Sequence, residues 1–217
     1  SHAKAAEIDA KLNRADSALQ FLERYDPARE PLFKTRRLIS ANDLKNFDRE
    51  QAERYVDEVL ALEEKLRDTN DKINKLDQEE TLIKPWIGYA TPLEMKGTHK
   101  TIIHEGVVPT TVDMTEIINE LEGIGGIVVK LINADKDLNY VAFICLRSKE
   151  EEIMSLLKQK GFSEVYFRHL KGTVAENVER IKKEKEELFA KVKDIEKEAA
   201  ERASLRRIIE NYCDLTA

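Results

Sequence analysis

The residues most able to do chemistry in this chain are three histidines, two cysteines and one tight run of acids. None of them falls in a pattern that a reaction needs. His99, His104 and His169 are scattered, whereas metal-ligating side chains come in close, fixed spacings. Cys145 and Cys213 are far apart and have neither the spacing of a zinc site nor the number for a disulfide framework. Asp135, Asp137 and Asn139 alternate like the opening of a calcium loop, but the glycine and the distal glutamate are missing, so the run reads as a hairpin turn. Gly123-Ile124-Gly125-Gly126 precedes an apolar run instead of following one. Phosphate-binding loops need strand, then glycines, then helix, so these glycines read as a helix stop. No nucleophile, histidine and acid stand grouped in sequence. The expectation is no catalytic residue, no metal site and no cofactor, and no nucleotide turnover by the isolated chain.

The elements around these residues explain why chemistry is sparse. From Asp48 to Lys84, Tyr55, Val59, Leu62, Leu66, Thr69, Ile73, Leu76 and Ile83 recur at spacings of three and four, interrupted by Glu80. From Thr173 to Asp214, Val174, Val178, Ile181, Leu188, Val192, Ile195 and Ala199 do the same, interrupted by Lys185. Such a narrow apolar stripe cannot be buried by the helix that carries it, so each stretch needs a partner helix, and the other stretch is the nearest one. At 1.5 Å per residue the arms would be roughly 55 and 60 Å long. Ahead of them, Lys4–Arg24 reads as a helix with Ile8, Leu12, Ala15, Leu19 and Leu22 on one face. Pro27 and Pro31 stop it, and Ser40 and Asp48 are cap signals.

Between the arms the period changes. Lys100–Val108 reads as a strand, Met114–Glu122 as a helix with Ile117, Ile118 and Leu121 inward, and Ile127–Ile132 and Asn139–Leu146 as strands joined at Asp135-Lys136-Asp137. Lys149–Lys160 reads as a helix ended by Gly161, and Val165 to Leu170 as a last strand. The order is βαββαβ, a ferredoxin-like unit. The fold class is therefore α+β: a long antiparallel coiled-coil hairpin carrying this lobe at its tip. Four segments follow: 1–47, a helix and connector; 48–84, the outgoing arm; 85–171, the lobe; 172–217, the returning arm. Trp86 and Tyr89 are expected to pack where arm meets lobe. An antiparallel sheet with both helices on one side leaves its other side for a partner, and His104, Lys130, Tyr140 and Arg168 are the expected docking positions there.

Composition restricts the alternatives. A net charge of −6 with 36% charged residues does not suit nucleic acid, which calls for a basic face. The mixed signs at Glu176, Glu179, Arg180, Lys182, Lys183 and Glu184 read as a solvated helix flank. No apolar run approaches the ~18 residues needed to span a membrane. Unpaired thiols fit a reducing compartment. Ser1-His2 in place of a start methionine reads as a cloning remnant on a piece of a longer protein. Two other functional classes stay open, a nucleic-acid-binding arm and a metabolite-binding lobe.

Several short motifs also line up with a known family. Leu12–Pro27, then Pro85-Trp86, Pro92-Leu93, Gly97-Thr98, Thr101, Gly106 and Pro109, then Asp135-Lys136-Asp137, Tyr140, Cys145, Gly161-Phe162 and Gly172-Thr173 resemble, in order, subunit I of bacterial V/A-type rotary ATPases. That subunit is the counterpart of the vacuolar ATPase a subunit. The resemblance implies the cytoplasmic N-terminal half of a stator component. Its lobes would hold paired-helix peripheral stalks, and its own C-terminal membrane domain would carry the proton- or sodium-translocating arginine. No small-molecule substrate and no nucleic acid are implied, and residues 1–47 would be what remains of the lobe nearer the membrane.

The seams yield a direct test. Leu66→Asp or Leu188→Asp places an unpaired charge in an apolar stripe and is expected to cost on the order of 3 kcal/mol. Helical circular dichroism on heating should show a lowered midpoint.

Overall fold

The computed structural model describes residues 2–26 and 39–217. The expected stops at Pro27 and Pro31, and the connector with Phe33 and Leu38, lie outside the described residues. The chain divides into two compact units, Ser1–Asn74 with Glu186–Ala217, and Lys75–Lys185.

In the first unit, helix α1 is His2–Tyr25, α2 is Ala41–Lys45, α3 begins at Arg49 and runs to Ile83, α6 is Val174–Glu201 and α7 is Arg206–Thr216. Ser40 caps α2 by accepting from the Asp43 amide. The Asp48 carboxylate accepts from Gln51 N at the start of α3, as its position suggested. The core joins Ala15, Ala18, Phe21 and Leu22 of α1 to Ala52, Val56, Val59, Leu62 and Leu66 of α3, with Ile195, Ala199, Ile209 and Tyr212 from the returning chain. Two expectations shift here. Tyr55 is only half-buried, and the seam begins instead with Ala52 and Val56. The return is also not one helix to Asp214, because residues Arg202–Leu205 tighten into a 3-10 turn. Continuing the three-four spacing past Ala199 would put Arg202 and Arg206 in the seam. Both are instead held by carboxylates, Arg202 by Glu198 (2.9 Å) and Glu58 (3.7 Å), Arg206 by Glu210 (2.9 Å) and Glu23 (3.0 Å). The tighter turn restarts the helix so that Ile209 and Tyr212 are buried.

The second unit contains the end of α3, the start of α6 and an α+β lobe. Its elements are β1 (Thr101–Pro109), α4 (Met114–Ile124), β2 (Ile127–Ala134), β3 (Leu138–Leu146), α5 (Glu150–Gln159) and β4 (Ser163–Glu164). The sheet order is β2-β3-β1-β4, antiparallel throughout. This is the expected ferredoxin-like arrangement, and the fold class is α+β. Val108, Ile117, Leu121, Val141, Phe143, Cys145, Ile153 and Leu157 form the core between one sheet face and the helices α4 and α5. Gly125, at φ 77°, ends α4, so the glycine run is a helix stop. Gly161, at φ 88°, ends α5: its amide bonds Lys158 O, and Phe162 N bonds Leu157 O.

The last strand is displaced from expectation. It is Ser163–Glu164, not Val165–Leu170. Phe162 follows the helix stop at once and sits against Gly106, where any Cβ would lie 2.4 Å from its ring. Pairing with β1 therefore starts immediately at Ser163, and Val165 N to Glu105 O is its last rung. The chain then leaves the sheet, which lets Phe167 and Leu170 be buried.

The ends of the two long helices meet in this unit through their polar breaks. Lys185 Nζ lies 2.9 Å from Glu80 and 2.6 Å from Asp77, and Arg180 lies 2.8 Å from Glu79. The two interruptions seen in the sequence thus face each other across an antiparallel helix pair. Past Ile83, residues Lys84–Trp86 form a 3-10 turn with Pro85 at its start. Trp86 is 1% exposed and meets Phe167 (5.3 Å), Tyr140 (5.8 Å) and Tyr89 (6.0 Å) ring to ring. Trp86→Ala removes the centre of this cluster and is expected to cost about 3–5 kcal/mol, read as a lowered denaturation midpoint.

Candidate functional site

With no catalytic grouping in view, the side chains of interest are the four docking candidates on the lobe. The structure does not gather them on one surface. His104 lies on the helix-covered side of β1, stacked on Phe143 at 5.1 Å. Its Nε2 is 3.0 Å from Glu150 on α5, and its Nδ1 contacts Glu164 on β4. Even-numbered β1 residues share the face of Val108, so the register that buries Val108 turns His104 inward. Arg168 is not in a strand, because β4 ends at Glu164. Its guanidinium stands 6.0 Å from the Tyr166 ring.

Lys130 and Tyr140 do lie on the other side of the sheet. That side is not free over its whole area. Segment 84–97 and residues 165–172 cover one end, burying Trp86, Tyr89, Leu93, Phe167 and Leu170. Tyr140 packs edge-on to Trp86 there and donates from its hydroxyl to Asp135 at 2.8 Å. Beneath this cover, Glu105 is 3% exposed and accepts from the Tyr89 hydroxyl at 3.0 Å, with Lys96 at 3.5 Å. Burial and the Glu105 charge push the Tyr89 phenol far above its usual range. Lys130, by contrast, is exposed.

The other end of this second face was missed in the sequence. Val128 is 68% exposed, Leu146 41% and Ile144 37%. Side chains of these β-branched and aliphatic types usually belong to a core. The alternation contained the signal: Ile127 and Val129 point to the helices, so Val128 shares the side of Lys130.

The remaining chemistry-bearing residues are occupied structurally. Asp135 Oδ1 accepts from the amides of Asp137 and Leu138 (2.8 Å each), which closes the β2–β3 turn. Burial raises the Cys145 thiol above its ordinary value. Burial and the Asp16 carboxylate push Cys213 up to about 11, so neither thiol is an activated nucleophile. Among the described residues no group of three or more histidines, cysteines and acids is arranged to hold a metal. A groove of about 970 Å³ beside α5 is lined by His104, Glu150, Met154, Lys158, Glu164 and Tyr166. Its histidine is already engaged by both carboxylates.

No family profile and no curated protein matches the sequence. The fold, however, has a solved counterpart. The crystal structure of the cytoplasmic N-terminal domain of subunit I, homolog of subunit a, of V-ATPase is similar over 100% of this chain and 72% of its own, with a TM-score of 0.59 and 14% identity. At that identity the likeness is one of fold. It extends over the long helices as well as the four-stranded lobe. No helix among the described residues is long and apolar enough to cross a membrane.

The β2–β3 turn, which carries a docking candidate at its end, has a pH-dependent support. The Asp137 amide, the Tyr140 hydroxyl and the Leu138 amide, in that order, hold the Asp135 carboxyl below its ordinary value of 3.8. A depressed folded-state value contributes stability that is fully present above pH 3.8 and is lost as pH falls through the lower folded value. Asp135→Asn should therefore melt earlier than wild type at pH 7. The difference should shrink on acidification below about pH 4, as thermal melts over a pH series will show.

Proposed function

We propose that this chain is a cytoplasmic stator region of a V/A-type rotary ATPase, of the subunit I class. In this reading it connects a membrane domain to the peripheral stalks, so that the catalytic head is held while the rotor turns. The observation that carries the reading is the likeness to the subunit I domain over the whole chain. The ordered motifs from Leu12 to Thr173 point the same way.

The physical construction suits that task. Helix pairs locked by apolar seams and cross-helix ion pairs resist load without a reactive site. The chain itself is non-catalytic: it binds no cofactor, transforms no small molecule and holds no nucleic acid. Its partners are the paired-helix peripheral-stalk heterodimers and the C-terminal membrane domain of the same subunit. It works at the cytoplasmic face of the membrane, within a complex that moves protons or sodium ions. The lobe of β1–β4 is the stalk contact, with Lys130 on its accessible side. Of the other docking candidates, His104 and Tyr140 act from within the lobe by fixing β4 and the β2–β3 turn, and Arg168 stands exposed beside Tyr166.

Titrating purified peripheral-stalk heterodimer against the chain is expected to give saturable binding with Kd on the order of micromolar, as suits one of several cooperating contacts. Absence of binding well above that range, or nucleotide turnover by the purified chain, defeats the proposal.

A further inference from the structure

We infer that the uncovered end of the second sheet face is the seat of a partner α-helix whose apolar stripe is flanked by acidic residues. The proposal rests on the lobe being the stalk contact and names the surface and the chemistry of what lies on it.

Pairing makes the patch continuous. Val128 is opposite Ile144, Ile144 is opposite Ile103, and Leu146 follows Ile144 on the same side of β3. Three of these exposed side chains are large, and cross-strand neighbours on one face touch. A contiguous apolar area of this kind on a sheet marks an interaction surface more than a solvated one. The opposite end of the same face is already filled by Trp86 and Phe167. Among the described residues, the chain covers one end of this face itself and leaves the other end apolar and open.

Charge decides the occupant. The chain as a whole is acidic, at −6, yet the border of this patch is basic. Lys130 lies on the face two residues from Val128, and Arg147 is exposed directly after Leu146. Among the strand positions on this side Glu105 is the one carboxylate, and it is buried under Tyr89. An apolar centre with a one-signed rim selects a partner with an apolar stripe and the opposite sign beside it. A helix fits better than an added strand, because the exposed side chains stand on the face of the sheet, where a helix packs, and not along its outer edge.

The test uses the 217-residue chain and two synthetic amphipathic helical peptides with the same leucine stripe, one flanked by Glu and one by Lys. The Glu peptide is expected to bind at least tenfold more tightly. Val128→Asp should weaken it at least tenfold with unchanged circular dichroism, and Lys130→Glu should reduce or reverse the preference. Equal binding of the two peptides, or indifference to Val128→Asp, overturns the proposal. So does a dimer in sedimentation equilibrium that Val128→Asp abolishes, since the occupant is then a second copy. Stalk heterodimer that binds the chain but ignores Val128→Asp overturns this surface and leaves the stator reading intact. Heterodimer that never binds, beside a positive peptide titration, overturns the stator reading and leaves the surface standing.

Discussion

A helix with one narrow apolar stripe gains little until a second helix lies on that stripe, and most of this chain is organised by that requirement. In the first unit the stripe from Ala52 to Leu66 is closed by α1 and by the returning chain, with Ile195, Ala199, Ile209 and Tyr212 as the facing residues. In the second unit the end of α3 gives its last apolar positions to the lobe, where Ile83 is fully buried beside the turn carrying Trp86.

Polar residues set where the apolar contacts may form. Glu80 and Lys185 each interrupt a seam, and an unpaired charge there would be costly. Placed opposite one another they satisfy both interruptions, with Asp77 as a second partner for Lys185 one turn away. Arg202 and Arg206 solve a similar problem differently. A tightened turn removes them from the stripe, and carboxylates of α1, α3 and α6 receive them. Ion pairs of this partly exposed kind add little stability individually. Their effect is on which alignment is allowed.

The lobe shows the same economy. One sheet face is closed by α4 and α5, and half of the other by residues 84–97 and 165–172. Glu105, the charged residue beneath that cover, is tied to Tyr89 and Lys96. His104 clasps α5 to the short edge strand β4 through two carboxylates. His104 and Tyr140 are thus engaged within the lobe, while Lys130 and Arg168 stay exposed.

The sequence by itself determined the elements, because period and punctuation are local properties. The three-four spacing marked α3 and α6, glycines stopped α4 and α5, Asp135 marked the hairpin turn, and the alternation of helix and strand patterns implied the ferredoxin-like order. The seam breaks at Glu80 and Lys185 were also legible, though not that they meet. Only the tertiary structure decided which side of each strand is buried and which residues close the sheet. His104 faces inward because the register burying Val108 carries it there. Tyr140 is occupied because Trp86, far away in sequence, reaches it. Val128 is exposed although its type suits a core, since no element among the described residues covers that end of the sheet. These outcomes depend on contacts between distant segments, which spacing along the chain does not encode.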